Sequence, residues 1–203
     1  MEFDEIIRRR RMVRNYLDAP VDDEALARIL DRASRGPSAG FSQGVSFVVV
    51  TDETTRHEIA RLAGEDQYVS RGFDPWISRA PVHVMICVRK GAYFERYREA
   101  DKDGELGPRG NEDGWPIPYW WVDSGASMML LLLAAVDEGL ASGFLGAHNM
   151  GAIEELLGIP NEVSPIGIVT IGHPAPDQRS GSLARGRRSD TVRHGRWDAK
   201  VED

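Results

Sequence analysis

Arginine is unusually dense near the start of the chain, where five of the seven residues 8–14 are arginine. A second group, Arg185, Arg187 and Arg188, lies near the other end. Guanidinium groups form strong, charge-assisted and often bidentate hydrogen bonds with phosphate oxygens. If the two groups meet in the folded chain, they form a phosphate site. The alternative is that each group is a surface patch that pairs with some of the 32 acidic residues.

A polar, glycine-rich stretch at residues 37–44 is the second candidate for ligand binding. The Ser38 hydroxyl, the Gln43 amide and backbone N–H groups around Gly40 and Gly44 could border a planar ligand. An ordinary turn between a helix and a strand accounts for the same residues. The two common nucleotide-binding fingerprints, GxGxxG and GxxxxGK[ST], do not occur in the sequence.

The other reactive side chains form no recognisable catalytic group. The five histidines are dispersed, without HExxH or Cys/His metal spacing, and no GxSxG motif occurs, so we expect no metal site. The single cysteine, Cys87, lies in an apolar run at 82–88, which favours a buried structural thiol over a nucleophile. A phosphate site without a visible acid, base or nucleophile indicates that a bound cofactor carries the chemistry.

Composition places the chain among globular proteins of enzyme size, with 203 residues, 41% hydrophobic and 28% charged. The formal net charge of −7 disfavours binding of nucleic acid, and the arginine run has no interleaved aromatic residues. One cysteine cannot form a disulfide within the chain, so a reducing cytoplasm is expected. We see no signal peptide, and the most apolar stretch, 128–136, is shorter than the roughly 20 residues that span a bilayer. We therefore expect no membrane partner.

Hydrophobic periodicity predicts the elements that must position these residues. Helices are expected at 3–14, 22–35, 52–63, 124–138 and 153–157, and buried strands at 45–51, 82–88 and 166–171. This pattern predicts one α+β domain over residues 1–203, with a sheet flanked by helices. Residues 89–121 form a mainly irregular insertion of the kind that is usually functional.

The predicted helix at 124–138 has no polar side. Such a helix is buried all round, either at a domain centre or in a subunit interface. Residues 173–203 are too polar to fold alone, and Trp197 is expected to anchor this tail on another surface, such as a second subunit.

Five features in this order resemble the FMN-dependent nitroreductase family over nearly the whole chain. The family's opening motif is similar to Arg10-Arg11-Met12-Val13-Arg14, and its loop motif to Pro37-Ser38-Ala39-Gly40-Phe41-Ser42-Gln43, which a strand follows. A long helix ending in Gly139-Leu140 leads to Phe144-Leu145-Gly146-Ala147, and the basic pair Arg187 and Arg188, with Arg185 as an alternate, closes the pattern.

Three positions depart from the family pattern. Met12 replaces a small polar residue, Phe41 replaces an asparagine and Gly44 replaces a proline. The chain looks more like actinobacterial-type members than like the drug-activating ones.

The resemblance implies a nitroreductase-like three-layer sandwich, in which helices flank a central, mostly antiparallel sheet and the C-terminal tail is exchanged in a homodimer. FMN would lie at the interface, with arginines on its phosphate and a backbone N–H near Gly146 and Ala147 on flavin N5. The implied cofactor-binding residues are Arg10, Arg11, Met12, Arg14, Pro37, Ser38, Ala39, Gly40, Phe41, Gln43, Leu145, Gly146, Ala147, Arg185, Arg187 and Arg188.

The same resemblance implies an enzyme that passes hydride from NAD(P)H through flavin N5 to a flat aromatic acceptor, such as a nitroaromatic or a quinone. Aromatic residues on and near the insertion at 89–121 would contact this acceptor, although plain packing explains them equally well. The implied substrate-binding residues are Phe41, Tyr93, Tyr97, Trp115, Tyr119 and Trp120. Two alternatives keep the fold: a protein that stores flavin or consumes reduced flavin without NAD(P)H turnover, and a deazaflavin-dependent reductase.

Overall fold

The computed structural model describes residues 1–102, 111–147, 149–177, 181–188 and 191–197. The helices are α1 (Phe3–Arg9), α2 (Asp23–Ala33), α3 (Glu53–Leu62), α4 (Glu65–Val69), α5 (Trp76–Arg79), α6 (Gly91–Arg96), α7 (Tyr119–Asp137) and α8 (Met150–Leu156). The strands are β1 (Val45–Val50), β2 (Val82–Val88), β3 (Ala141–Leu145) and β4 (Ser164–Gly172). Short 3-10 turns include Ala39–Phe41 and Gly181–Arg185.

The strands described here form one antiparallel sheet in the order β1-β2-β4-β3. β2 lies between β1 and β4, and all of its residues are buried. Val84 and Ile86 face one side of the sheet and Met85 and Cys87 face the other, because successive side chains of a strand alternate. The predictions of strands at 82–88 and 166–171 are therefore confirmed.

Helices cover both faces of this sheet. On one face, α2 and α7 pack on the strands through residues such as Ile29 and Leu131. On the other face, α3, α5 and α8 contribute Ile59, Ile77 and Ile153. Each of these side chains is almost fully buried, which is worth about 1.5–3 kcal/mol per residue. The expected α+β, three-layer sandwich with an antiparallel sheet is confirmed.

Helix α1 ends at Arg9, whereas the sequence predicted a helix as far as residue 14. Arg10 leaves the helical conformation, with φ −59° and ψ 120°. The next residues then run beside β3: Met12 forms a parallel bridge with Ser142, and the Val13 N–H donates to the Ser142 carbonyl at 2.9 Å. Pairing with a sheet edge therefore replaces the last helical turn.

Strand β3 was not predicted, since glycine interrupts its short apolar run. The structure shows why that glycine suits the position. A Cβ on Gly143 would lie 2.5 Å from the Val13 carbonyl oxygen, so the absence of a side chain lets the arginine-bearing segment approach the strand.

Helix α7 begins at Tyr119, directly after Pro118, and not at residue 124 as predicted. Proline is unsuited to a helix interior, and Pro118, with φ −74° and ψ 83°, lies outside the helical conformation. Asp123 instead lies buried inside α7, at 4% exposure.

Within one chain this helix is not buried all round, so the predicted position at a domain centre is wrong and burial in a subunit interface stays a prediction. Trp121, Val122 and Met129 are 41%, 51% and 42% exposed. By length and composition alone α7 could cross a membrane, and half of its most apolar 18-residue stretch is buried inside the protein.

Strand β1 also differs from its prediction of burial on both faces. Val50 is buried, whereas Val49 is 37% exposed. β1 is an edge strand, so it has a β-neighbour on one side and less helical cover than β2.

Two long stretches contain more regular structure than their sequences indicated. α4 and α5 lie within 65–81, and α6 lies within the insertion at 89–121, whose residues 103–110 fall outside the described part. In the tail, residues 178–180, 189–190 and 198–203 likewise fall outside it. Trp197 is 87% exposed, and its docking on a second subunit stays a prediction.

Candidate functional site

The two arginine groups meet in one cleft of about 610 Å³. The segment after α1 is held along β3, and the turn Gly181–Arg185 brings the tail back over it. The described residues that line this arginine cleft are Arg8, Arg9, Arg10, Arg11, Met12, Arg14, Leu183 and Arg187. Its volume falls within the roughly 300–1,000 Å³ of small-molecule sites.

The arginines of the cleft differ in their protein partners. Arg9 pairs with Glu5 at 2.6 Å on the surface of α1, as expected for a residue outside the binding motif. Arg11 pairs with Asp177, whose side chain is 4% exposed. In the part of the chain that the structure describes, Arg10 and Arg14 form no ion pair with an acidic side chain.

Arg187 and Arg8 complete the cationic lining. Neither forms an ion pair with a described acidic residue. Arg185 and Arg188 are exposed and do not line the cleft among its described residues. Several guanidinium groups thus face one space without an acidic partner among the described residues, which fits the phosphate ester of FMN.

Asp177 fixes the backbone of this cleft as well as one of its charges. Its Oδ2 accepts a hydrogen bond from the Arg14 N–H at 3.0 Å, while its Oδ1 binds the Arg11 guanidinium. Nearby, the Asn15 amide donates to the Pro176 carbonyl at 2.8 Å. Asp177 was not predicted as a site residue, because no motif or hydrophobic pattern in the polar tail around it distinguishes this carboxylate from the others.

The segment predicted to pass flavin N5 continues directly from β3. Leu145 is buried, whereas Gly146 is exposed. A Cβ on Gly146 would meet no described atom within 4 Å, so a flat ligand has room beside this backbone. Because Met12 bridges Ser142 of the same strand in parallel, the chain beyond Met12 runs toward this end of β3.

The loop at 37–44 has an uncommon backbone conformation. Gly40, Phe41 and Gln43 have φ of 61°, 60° and 52°. The Gln43 N–H donates to the Ser38 hydroxyl oxygen at 2.8 Å. Non-glycine residues with positive φ occur mostly where the surrounding structure imposes them, often at functional sites.

Partners from two other elements hold this loop. The Ala39 N–H donates to Asp123 Oδ2 at 2.9 Å, and Arg96 Nε donates to the Gly40 carbonyl at 2.8 Å. The Phe41 side chain, in contrast, extends into solvent and is 73% exposed. No residue of the loop at 37–44, including Pro37, is among the described residues that line the arginine cleft. One chain therefore does not bring the two predicted halves of the site together.

Three of the six predicted substrate-binding aromatics pack with one another below the loop. Tyr93, Trp115 and Trp120 are 0%, 7% and 1% exposed, and the Trp115 and Trp120 rings make an edge contact at 5.7 Å. Packing accounts for these three rings. Tyr97 is half-buried and Tyr119 is 41% exposed, and their contact with a substrate stays a prediction, as does that of Phe41.

Two buried titratable groups lie on β2. Burial, with a smaller effect of Glu154, raises the pKa of the Cys87 thiol to about 11, and the predicted burial of this residue is confirmed. Burial lowers the pKa of His83 to about 4, against the opposing effect of a 2.7 Å hydrogen bond between its Nε2 and the Ile77 carbonyl. Among the described residues, no group of three His, Cys, Asp or Glu could hold a metal ion, and His148 lies outside them.

Comparison with known proteins gives a consistent result. A family model described as the nitroreductase family matches residues 7–173. An FMN reductase [NAD(P)H] from Bacillus subtilis is 32% identical over 168 residues, which cover 81% of this chain. The match spans 63% of that relative, so the chain covers less than two thirds of its length.

Solved structures share the fold. The hypothetical oxidoreductase YcnD from Bacillus subtilis superimposes with a TM-score of 0.72 at 26% identity, covering 100% of this chain and 76% of that one. An iodotyrosine deiodinase bound to FMN and 3-iodo-L-tyrosine has a TM-score of 0.72 at 19% identity, covering 97% and 100% of the two chains.

Proposed function

The chain belongs to the nitroreductase family, and on that premise we propose that it is an FMN-dependent oxidoreductase that uses NAD(P)H. The arginine cleft is the observation that carries this proposal. Four guanidinium groups, those of Arg8, Arg10, Arg14 and Arg187, line it without an acidic partner among the described residues. A phosphate ester supplies the missing negative charge, and the similar relative from Bacillus subtilis is named for FMN.

In this proposal the chain's own residues bind and orient the cofactor. Arg10, Arg14 and Arg187 would hold the phosphate, and the backbone N–H groups at Gly146 and Ala147 would face the flavin ring near N5. Bound FMN supplies the two-electron chemistry that couples NAD(P)H oxidation to reduction of an acceptor. Fixed N–H groups and positive charge favour the anionic form of a reduced ring.

We further propose a homodimer whose two sites each use both chains. The exposed apolar side chains of α7 and the exposed Trp197 support it, since large apolar side chains clustered on one exposed side of a helix are typical of an interaction surface. In the dimer the loop at 37–44 would reach the arginine cleft of the other subunit. This arrangement explains why one chain keeps the two halves of the site apart.

A flat aromatic acceptor is the substrate class that we propose. Phe41 supports it, because an exposed ring on a constrained loop presents a stacking surface. Tyr119 and Tyr97 are the further candidates to contact the acceptor. A cytoplasmic location fits a family of NAD(P)H-dependent relatives and a chain with one buried cysteine.

Purification with anaerobic reduction tests the proposal. The isolated protein should be yellow, should release FMN on denaturation, and should lose its absorbance near 450 nm when NADH or NADPH is added without oxygen. The mass of the released cofactor separates FMN from a deazaflavin. Tight FMN binding with no NAD(P)H oxidation would instead favour flavin storage or consumption of reduced flavin. A colourless protein that takes up no added FMN would contradict the proposal.

A further inference from the structure

A buried carboxylate connects the core to the loop at 37–44. Asp123 is 4% exposed on the otherwise largely apolar helix α7. Its Oδ2 accepts hydrogen bonds from the Ala39 N–H at 2.9 Å and from the Tyr93 hydroxyl at 2.8 Å. A buried carboxylate is costly unless donors compensate it, and these two donors come from the loop and from α6.

Tyr93 is well suited to remain a donor to Asp123. Its side chain is fully buried, and its ring makes edge contacts with Trp115 and Trp120, both at 6.1 Å. Burial, followed by the hydrogen bond to Asp123, raises the pKa of Tyr93, so the hydroxyl keeps its proton at physiological pH. The packing of the aromatic rings therefore holds the Tyr93 hydroxyl in place, and this hydroxyl in turn holds the Asp123 carboxylate.

The loop conformation needs such support. Gly40 and Phe41 both have φ near 60°, and a Cβ on Gly40 would lie 2.6 Å from Tyr97 Cε2. Arg96 Nε binds the Gly40 carbonyl on the other side of the same turn. Sparsely populated conformations persist only where neighbouring groups determine them, and Asp123 is the buried member of this set.

We propose that Asp123 is a positioning residue that, together with Tyr93, preorganises the loop at 37–43 for contact with the flavin ring. The inference rests on the proposed function, because the loop must meet a flavin for its order to matter. Asp123 touches neither cofactor nor substrate, and it acts through Ala39. Preorganisation raises affinity by removing the cost of ordering a loop on binding.

The test compares Asp123→Ala with the conservative Asp123→Asn, and Ser124→Ala serves as the matched control. The asparagine can still accept from Ala39, whereas alanine cannot. Ser124 is also fully buried on α7, but its hydroxyl donates within the helix to Trp120. Dissociation constants for FMN and riboflavin are measured by flavin fluorescence, and exchange of the Ala39 amide is followed by NMR or mass spectrometry.

We expect Asp123→Ala to raise both dissociation constants about ten-fold and to accelerate exchange at Ala39, as fits loss of a hydrogen bond to a charged group. Asp123→Asn should stay within about three-fold of the unmodified protein, and Ser124→Ala should match it. Riboflavin should be affected as much as FMN, because the loop contacts the ring and not the phosphate. A weakening confined to FMN would overturn the inference.

Tyr93→Phe keeps the test decisive if Asp123→Ala does not fold, since it removes one donor and leaves the ring. It should raise both dissociation constants about three-fold. Wild-type affinity together with unchanged Ala39 exchange in this variant would overturn the inference while leaving FMN binding intact. Failure of the unmodified protein to bind any flavin would instead overturn the proposed function itself.

Discussion

At the scale of single residues, the arginines of the cleft differ in whether an acidic side chain of the protein pairs with them. Asp177 occupies the Arg11 guanidinium and also accepts from the backbone of Arg14. The Arg14 side chain is thereby held beside the cleft without being neutralised. Arg187 reaches the same space from the opposite end of the chain. Residue type alone cannot make this distinction, because all three are arginines.

Replacing one of the ligand-directed arginines should weaken FMN but not riboflavin. We expect Arg187→Gln to raise the FMN dissociation constant about ten-fold or more, because a charge-assisted bond to phosphate is lost. Riboflavin has no phosphate, so its affinity should not change. Arg35→Gln is the control, since Arg35 is exposed on the surface and pairs with Asp31 at 3.0 Å. Equal losses for the two flavins would contradict the assignment of Arg187 to phosphate.

At the scale of elements, the helices and strands that follow from a local hydrophobic pattern were predicted from the sequence. The features that follow from contacts between distant segments were not. The apolar run at 82–88 became β2, and the acidic first turn after Asp22 became α2. The end of α1 was wrong, because β3 competes for the backbone of Met12. The predicted helix at 124–138 left Asp123 outside it, and no local pattern could reveal its partner Ala39, which lies 84 residues away.

His83, which lies on β2, should make the free energy of unfolding depend on pH in the acidic range. Its ordinary pKa of 6.5 falls to about 4 in the folded state, mainly by burial, with Arg56 and His57 lowering it slightly further. Between these values the unfolded chain binds a proton that the folded chain does not. The free energy of unfolding should therefore fall as pH drops from about 6.5 to about 4, by about 3 kcal/mol in total.

Urea unfolding at neutral pH and at two lower values measures this dependence. His83→Gln cannot titrate in this range, and its amide can still donate to the Ile77 carbonyl. The variant should therefore lose the part of the pH dependence that belongs to His83. Parallel curves for the two proteins would show that other groups cause the acid sensitivity.

At the scale of the whole molecule, one chain holds the arginine cleft and the loop at 37–44 apart, as the two proposed halves of a site. The arginine cleft lies beside β3, whereas the loop at 37–44 lies against α6 and α7. The outer side of α7 remains apolar and exposed. A second copy that covers this side would bury α7 and supply the missing half-site together, so dimerisation and FMN binding should depend on each other.

A charge on the outer side of α7 should separate the subunits and release the cofactor. Val122 and Met129 are seven residues apart, so they lie on one side of the helix, and both are exposed. Met129→Arg would bury an unpaired charge in the interface, which should raise the dimer dissociation constant by at least about 100-fold. Leu156→Arg is the control, because Leu156 is similarly exposed, at 39%, on α8 across the sheet.

Analytical ultracentrifugation with absorbance at 450 nm reports mass and flavin together. We expect a colourless monomer for Met129→Arg and a yellow dimer for Leu156→Arg, and a yellow monomer would show that one chain alone completes the site.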